Sequence, residues 1–177
     1  MSHYAFGDSS ANLHVYVEKA PPSEELWGEA PESGHVKALQ EGDIKSLGNI
    51  GGNGWRKVFN VYAKLLFTFP ESSPFKPSGF SSWQDFRDQA LLQYQSGTSL
   101  LFGDWDVERN ARQGGIHIVA GRTHALKLGL SEQCVWLDNE FAKHATLPIF
   151  ICPYFDYRQL SNLKIERLVG LIEGSQR

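Results

Sequence analysis

Apolar positions along the chain fall into two rhythms, one alternating and one recurring every three or four residues. Leu13-His14-Val15-Tyr16-Val17 alternates and is rich in β-formers, which predicts a strand; Pro21 and Pro22 lie just beyond it and forbid its continuation. Ser99-Leu100-Leu101-Phe102-Gly103, Ile116-His117-Ile118-Val119-Ala120 and Pro148-Ile149-Phe150-Ile151-Cys152 read as further strands, and Cys134-Val135-Trp136-Leu137 as a shorter one. Trp55, Val58, Phe59, Tyr62, Leu65, Leu66 and Phe69 recur at helical spacing, predicting a helix over 55–69 that Pro70 stops. Ser81-Ser82 caps a second predicted helix over 83–95, with Trp83, Phe86, Ala90, Leu91 and Tyr94 inward. A short helix over 123–128 ends at Gly129, and Ser161 caps a last one whose stripe is Leu163, Leu168, Val169, Leu171 and Ile172. The stretch 23–48 is acidic and weakly patterned, suiting short helices anchored by Val36, Leu39, Ile44 and Leu47. Residues 48–54, rich in Gly and Asn, read as a turn; they have neither the Walker nor the dinucleotide-binding spacing.

Strands separated by helices imply parallel crossovers, and continuously apolar strands imply a sheet covered on both faces. The expectation is one α/β domain over residues 1–177, three-layer α/β/α, with a small, mostly parallel sheet of four to five strands. Such sheets bind ligands beyond the carboxyl ends of their strands. Four polar clusters stand there: Glu18 and Lys19; Asp104, Trp105 and Asp106; Gly121-Arg122-Thr123-His124; and Tyr154-Phe155-Asp156-Tyr157-Arg158.

Asp104 and Asp106 flank Trp105 and point to one side of an extended segment. They either act as a carboxylate pair or form a solvated loop in which Asp106 meets Arg109. His124, in the first turn after a strand, is either a general base or a surface residue, whereas His117 reads as an interior histidine and His14 as structural or edge-facing. Asp104, His124 and Asp156 are the candidate catalytic groups. The rings, carboxylate and guanidinium of Tyr154 to Arg158 suit a planar polar ligand such as a nucleobase, or else a surface ion pair over buried aromatics.

Composition narrows this little. The chain is 41% hydrophobic and 21% charged, which excludes wholesale disorder. Its net charge of −3 divides into −5 over residues 1–47, −1 over 48–108 and +3 over 109–177; a +3 balance over that length is common in solvated surfaces, and the alternative is a C-terminal part that faces an anion. Two cysteines, Cys134 and Cys152, support neither a disulfide framework nor a metal pair, and the expected location is cytoplasmic. The N-terminus lacks a signal-peptide pattern, and no apolar run is long enough to span a membrane. No spacing asks for a cofactor or a metal.

In order, these pieces resemble the uracil-DNA glycosylase superfamily, particularly its mismatch-specific branch. Val15-Tyr16-Val17-Glu18-Lys19-Ala20-Pro21 resembles the family's first strand and water-positioning loop. Asn53-Gly54-Trp55-Arg56 resembles its helix opening, and Ile118-Val119-Ala120-Gly121-Arg122-Thr123-His124-Ala125-Leu126 its strand–Gly–helix. Phe150-Ile151-Cys152-Pro153-Tyr154-Phe155, continuing through Leu160-Ser161-Asn162, resembles the loop that grips uracil and wedges the DNA. The water-positioning acid or amide falls on Ala20, the last loop's His or Asn falls near Tyr154, and its Pro-Ser is replaced by Phe155-Asp156. The resemblance therefore implies a member with lost or altered chemistry, with Trp55, Tyr154 and Asp156 around a remodelled pocket.

The resulting expectation is a domain that binds a nucleobase-like small molecule or a nucleic acid through Glu18, Lys19, Asn53, Trp55, Tyr154, Phe155, Asp156 and Arg158. Two alternatives stand beside it: a small hydrolase or transferase of a non-nucleic substrate using Asp104, Asp106, His124 or Asp156, and a non-catalytic interaction module docking through residues 23–47.

Overall fold

The computed structural model describes residues 3–176. Eight strands form one mixed sheet: β1 (Tyr4–Gly7), β2 (Leu13–Val17), β3 (Val36–Lys37), β4 (Thr98–Phe102), β5 (Ile116–Ala120), β6 (Cys134–Trp136), β7 (Ala142–His144) and β8 (Ile149–Cys152), in the spatial order β3-β1-β4-β2-β5-β8-β7-β6. Among the described residues seven α-helices accompany them, α1 (Glu24–Trp27), α2 (Asp43–Gly51), α3 (Asn53–Thr68), α4 (Trp83–Gln89), α5 (Val107–Arg112), α6 (Arg122–Lys127) and α7 (Asn162–Ser175), with one 3-10 turn at Ser131–Gln133.

The four central strands, β4-β2-β5-β8, are mutually parallel. β1 runs antiparallel to β4, and β7 and β6 close the other side as an antiparallel hairpin. The sheet is therefore larger than the four to five strands expected. The additional strands are short: β1 has four residues without alternation, β3 two and β7 three, too few to show a period of two. Cys134-Val135-Trp136 is a strand as expected, but antiparallel and at the sheet's edge.

Alternation in the central strands divides the core. Leu13, Val15 and Val17 of β2, Leu100 and Phe102 of β4, and Ile118 and Ala120 of β5 face a large apolar cluster with α2, α3, α4 and α7. Tyr16, Leu101, Val119, Ile149 and Ile151 face a smaller one with α5 and α6. In α3, Val58, Phe59, Val61, Tyr62, Ala63, Leu65 and Leu66 are all buried, while its N-cap, Gly52, supplies no side-chain bond. Burial of each large side chain contributes about 1.5–3 kcal/mol against about 1 kcal/mol for a cap, so packing and not capping holds this helix. The Tyr62 hydroxyl donates to the Ser99 carbonyl at 2.8 Å, tying α3 to the start of β4.

Three expectations change. The 48–54 turn is mostly helix, since α2 runs to Gly51 and only Gly52 (φ 86°) turns the chain; a Cβ at Gly51 would sit 2.6 Å from the Trp55 ring. The second predicted helix stops at Gln89 and not at 95. Leu91 and Leu92 are both fully buried in the turn beyond the helix: Leu92 takes φ 62°, its amide donates to Thr98 Oγ1, and Tyr94 is left 76% exposed. In α7 Ile165 takes the buried position expected of Leu163, which is 77% exposed.

His14 is not at an edge but in the central strand β2, half-buried, its ring stacked on His117 at 4.4 Å. Burial, and then the neighbouring His117, lowers its pKa from 6.5 to about 4. Between these values the unfolded chain binds a proton that the folded chain refuses, so stability rises with pH across the window. Thermal unfolding followed by circular dichroism should show stability intact above pH 6.5 and lost progressively towards pH 4, with His14 contributing up to about 3 kcal/mol. His14→Gln should flatten that dependence. An unchanged pH profile in this variant would show that the stack does not set it.

Candidate functional site

The parallel strands, numbered along the chain, lie in the order second-first-third-fourth. The order reverses between β2 and β5, and the crevice at such a reversal, beyond the carboxyl ends, is where open α/β sheets leave room for a ligand. β5 and β8 end level, Ala120 opposite Cys152, and the Gly121 amide donates to the Cys152 carbonyl at 2.8 Å. Gly121 takes φ 103°, which a side chain would strain, and this turns the chain from β5 straight into α6.

A crevice of about 330 Å³ results. Glu18 from the loop after β2, His124 from α6, and Tyr154 and Gln159 from the loop after β8 line it. Asn139 and Glu140 reach it from the β6–β7 hairpin. These last two carry no signal in the sequence, because a hairpin with three-residue strands has no readable pattern.

His124 is 4% exposed, and neither of its ring nitrogens has a hydrogen-bond partner among the described residues. Burial lowers its pKa; Glu18 and Asp104 oppose that shift and Lys127 adds to it, leaving a neutral imidazole at pH 7. A neutral imidazole offers one donor and one acceptor. Leaving buried polar atoms unmet costs about 1–3 kcal/mol, and native structures seldom do so without a reason.

The rim is polar, and its two carboxylates are paired with lysines. Lys127 donates to Glu18, holding its carboxyl below the usual range, and Lys164 binds Glu140 at 2.9 Å. Arg122 donates to the Asn139 carbonyl at 3.0 Å, and its guanidinium lies 5.0 Å from the Trp136 ring centre. Tyr154 is half-buried, and burial raises its hydroxyl pKa, so it presents a neutral phenol.

The other expected site residues lie outside this lining. Asp104 is exposed and touches the site only through its charge on His124. Asp106 caps α5, accepting from the Arg109 amide at 3.0 Å. Asp156 pairs with Arg158 at 3.2 Å and Lys57 at 3.8 Å, and those partners lower its pKa. Phe155 is fully buried against Tyr62, and Trp55 packs edge-on to Phe102. Asn53 is exposed, its side-chain oxygen occupied by Arg56, and Lys19 is exposed.

Neither cysteine lines the crevice, and burial raises the Cys134 thiol to about 11 and the Cys152 thiol further, which keeps both protonated at pH 7. Among the described residues no group of three or more His, Cys, Asp or Glu is placed to hold a metal ion, and no helix is long and apolar enough to cross a membrane.

The histidine resonances should show His124 titrating below 6.5, from burial. Glu18→Gln removes an influence that raises this pKa and should lower it further, whereas Lys127→Met removes one that lowers it and should raise it. Identical titrations in the wild type and both variants would place these charges too far from the ring to matter.

No curated protein and no solved structure matches the chain. A family of unknown function (DUF6942) matches residues 4–173, almost the whole length, and the chain belongs to that family.

Proposed function

We propose that the crevice beyond β2, β5 and β8 binds a nucleobase-like ligand, on a three-layer framework of the uracil-DNA-glycosylase kind whose glycosylase chemistry is altered. The observation that carries this reading is His124, a buried neutral ring in the crevice lining with both nitrogens unmet. A neutral imidazole offers one donor and one acceptor, either of which suits an N–H or C=O of a nucleobase, and the Tyr154 ring that lines the same crevice suits a flat ligand. The volume, about 330 Å³, is at the small end of ligand pockets and fits one base better than a large cofactor.

Three of the four segments that carry the family resemblance supply lining residues: Glu18, then Gly121 to His124, then Pro153, Tyr154 and Gln159. The fourth, at Asn53 to Arg56, does not. Ala20 still offers no group to activate water, which is why binding, and not glycosidic cleavage, is proposed. Lys127 and Lys164 near the rim face carboxylates already, which leaves Arg122 as the one cation of the lining and favours a neutral base over a run of phosphates.

His124→Leu separates ligand binding from folding. Removing two unmet buried nitrogens at similar volume should raise stability by about 1–3 kcal/mol, and the same change should abolish binding of uracil, cytosine, adenine or guanine, whichever the wild type takes in calorimetry. Uracil-containing single-stranded and duplex DNA, titrated at low and high salt, report on the nucleic-acid form of the reading. Absence of binding to every base and every DNA, or binding that survives His124→Leu, would overturn it.

A further inference from the structure

Arg122 opens α6 two residues before His124 and is the one cationic side chain in the lining of the same crevice. Its guanidinium is fixed by two neutral groups. It donates to the Asn139 carbonyl at 3.0 Å, on the hairpin that walls the crevice, and it lies 5.0 Å from the Trp136 ring centre. A carbonyl and an indole orient a guanidinium without cancelling its charge. The carboxylates around it are taken by other cations: Glu18 by Lys127, Glu140 by Lys164 and Asp138 by Arg167. Among the described residues Arg122 enters no ion pair.

A guanidinium has five N–H donors in a planar fork. One is spent on Asn139, and stacking on Trp136 covers a face and not the edges where the others lie. Those edges match the oxygens of a phosphate, which arginine binds in pairs. The lining therefore holds two unmet polar groups of different kinds, an oriented cation and a buried neutral imidazole.

The two do not point the same way. Successive helical residues turn by about 100°, so side chains two apart leave α6 from nearly opposite faces. His124 goes inward and is 4% exposed, whereas Arg122 stays exposed and reaches the hairpin. A free base seated on His124 leaves Arg122 unused. A ligand that engages both carries an anionic group set apart from its base.

We infer that the ligand of this crevice is a mononucleotide, its base on His124 and Tyr154 and its single phosphate on the guanidinium of Arg122. This deepens the nucleobase reading and rests on it. One cation in the lining matches one phosphate, and a second phosphate would find no cation there.

Calorimetric titration at fixed ionic strength with uridine, cytidine, adenosine and guanosine, each beside its 5′-monophosphate, tests the inference. For the base that the crevice takes, the monophosphate should bind at least about tenfold more tightly than the nucleoside, the gain expected of a charge-assisted hydrogen bond. The 5′-diphosphate should gain nothing further. Arg122→Gln should bring the ratio of monophosphate to nucleoside affinity close to one. Arg122→Lys, which keeps the charge and loses the fork, should retain part of that ratio and serves if the first variant does not fold. Nucleoside and monophosphate binding alike, or a preference that a folded Arg122→Gln retains in full, would overturn the inference and leave the nucleobase reading standing. Monophosphate binding that survives His124→Leu would reduce the site to one for phosphate alone and overturn it as well. Absence of binding by all eight compounds would overturn both.

Discussion

β2 pairs with β4 on one side and β5 on the other, and both partners come later in the chain. This central placement constrains the rest. Crossovers from β2 and from β4 must travel in opposite directions along the sheet, the helices they carry cover opposite faces, and the loops beyond β2 and β5 part. The crevice is what that parting leaves. Two-sided burial of β2, with Leu13, Val15 and Val17 on one cluster and Tyr16 on the other, keeps the strand in place.

The two ends of the sheet solve one problem differently. At the amino-terminal end His117 is buried with both nitrogens engaged, one by Tyr16 and one by the Gly114 carbonyl. At the carboxyl end His124 is buried to a similar degree with neither engaged. Structural histidines look like the first. The second bears an unmet cost that no neighbouring group relieves, and such local conflict is characteristic of sites built for something besides folding.

Much of the fold was legible in the sequence, and little of the site. The strands of the parallel core and the stripe of α3 announce themselves because alternation and helical spacing hold over five or more residues. β3 and β7 are too short for either, and adjacent Leu91 and Leu92 mimic a helical face that tertiary packing breaks. For the site, the rule about strand ends pointed to Glu18, His124 and Tyr154, which do meet. It also pointed to Asp104, Asp156 and Arg158, which do not line the crevice, since the rule locates where loops begin and not which way they leave. Asp156 turns towards Lys57 on α3, and Phe155 goes into the core. Asn139 and Glu140 arrive on a hairpin whose pairing depends on long-range contacts that no local pattern records.

The central claim is that His124 is left unmet in the free protein because a ligand meets it. Long-range proton–nitrogen spectra of the histidine rings, with and without a saturating nucleobase, address this most directly. On this account both ring nitrogens of His124 move when the base is added, while those of His14 and His117 stay where they are. A His124 ring whose nitrogens are unchanged by every base would contradict it.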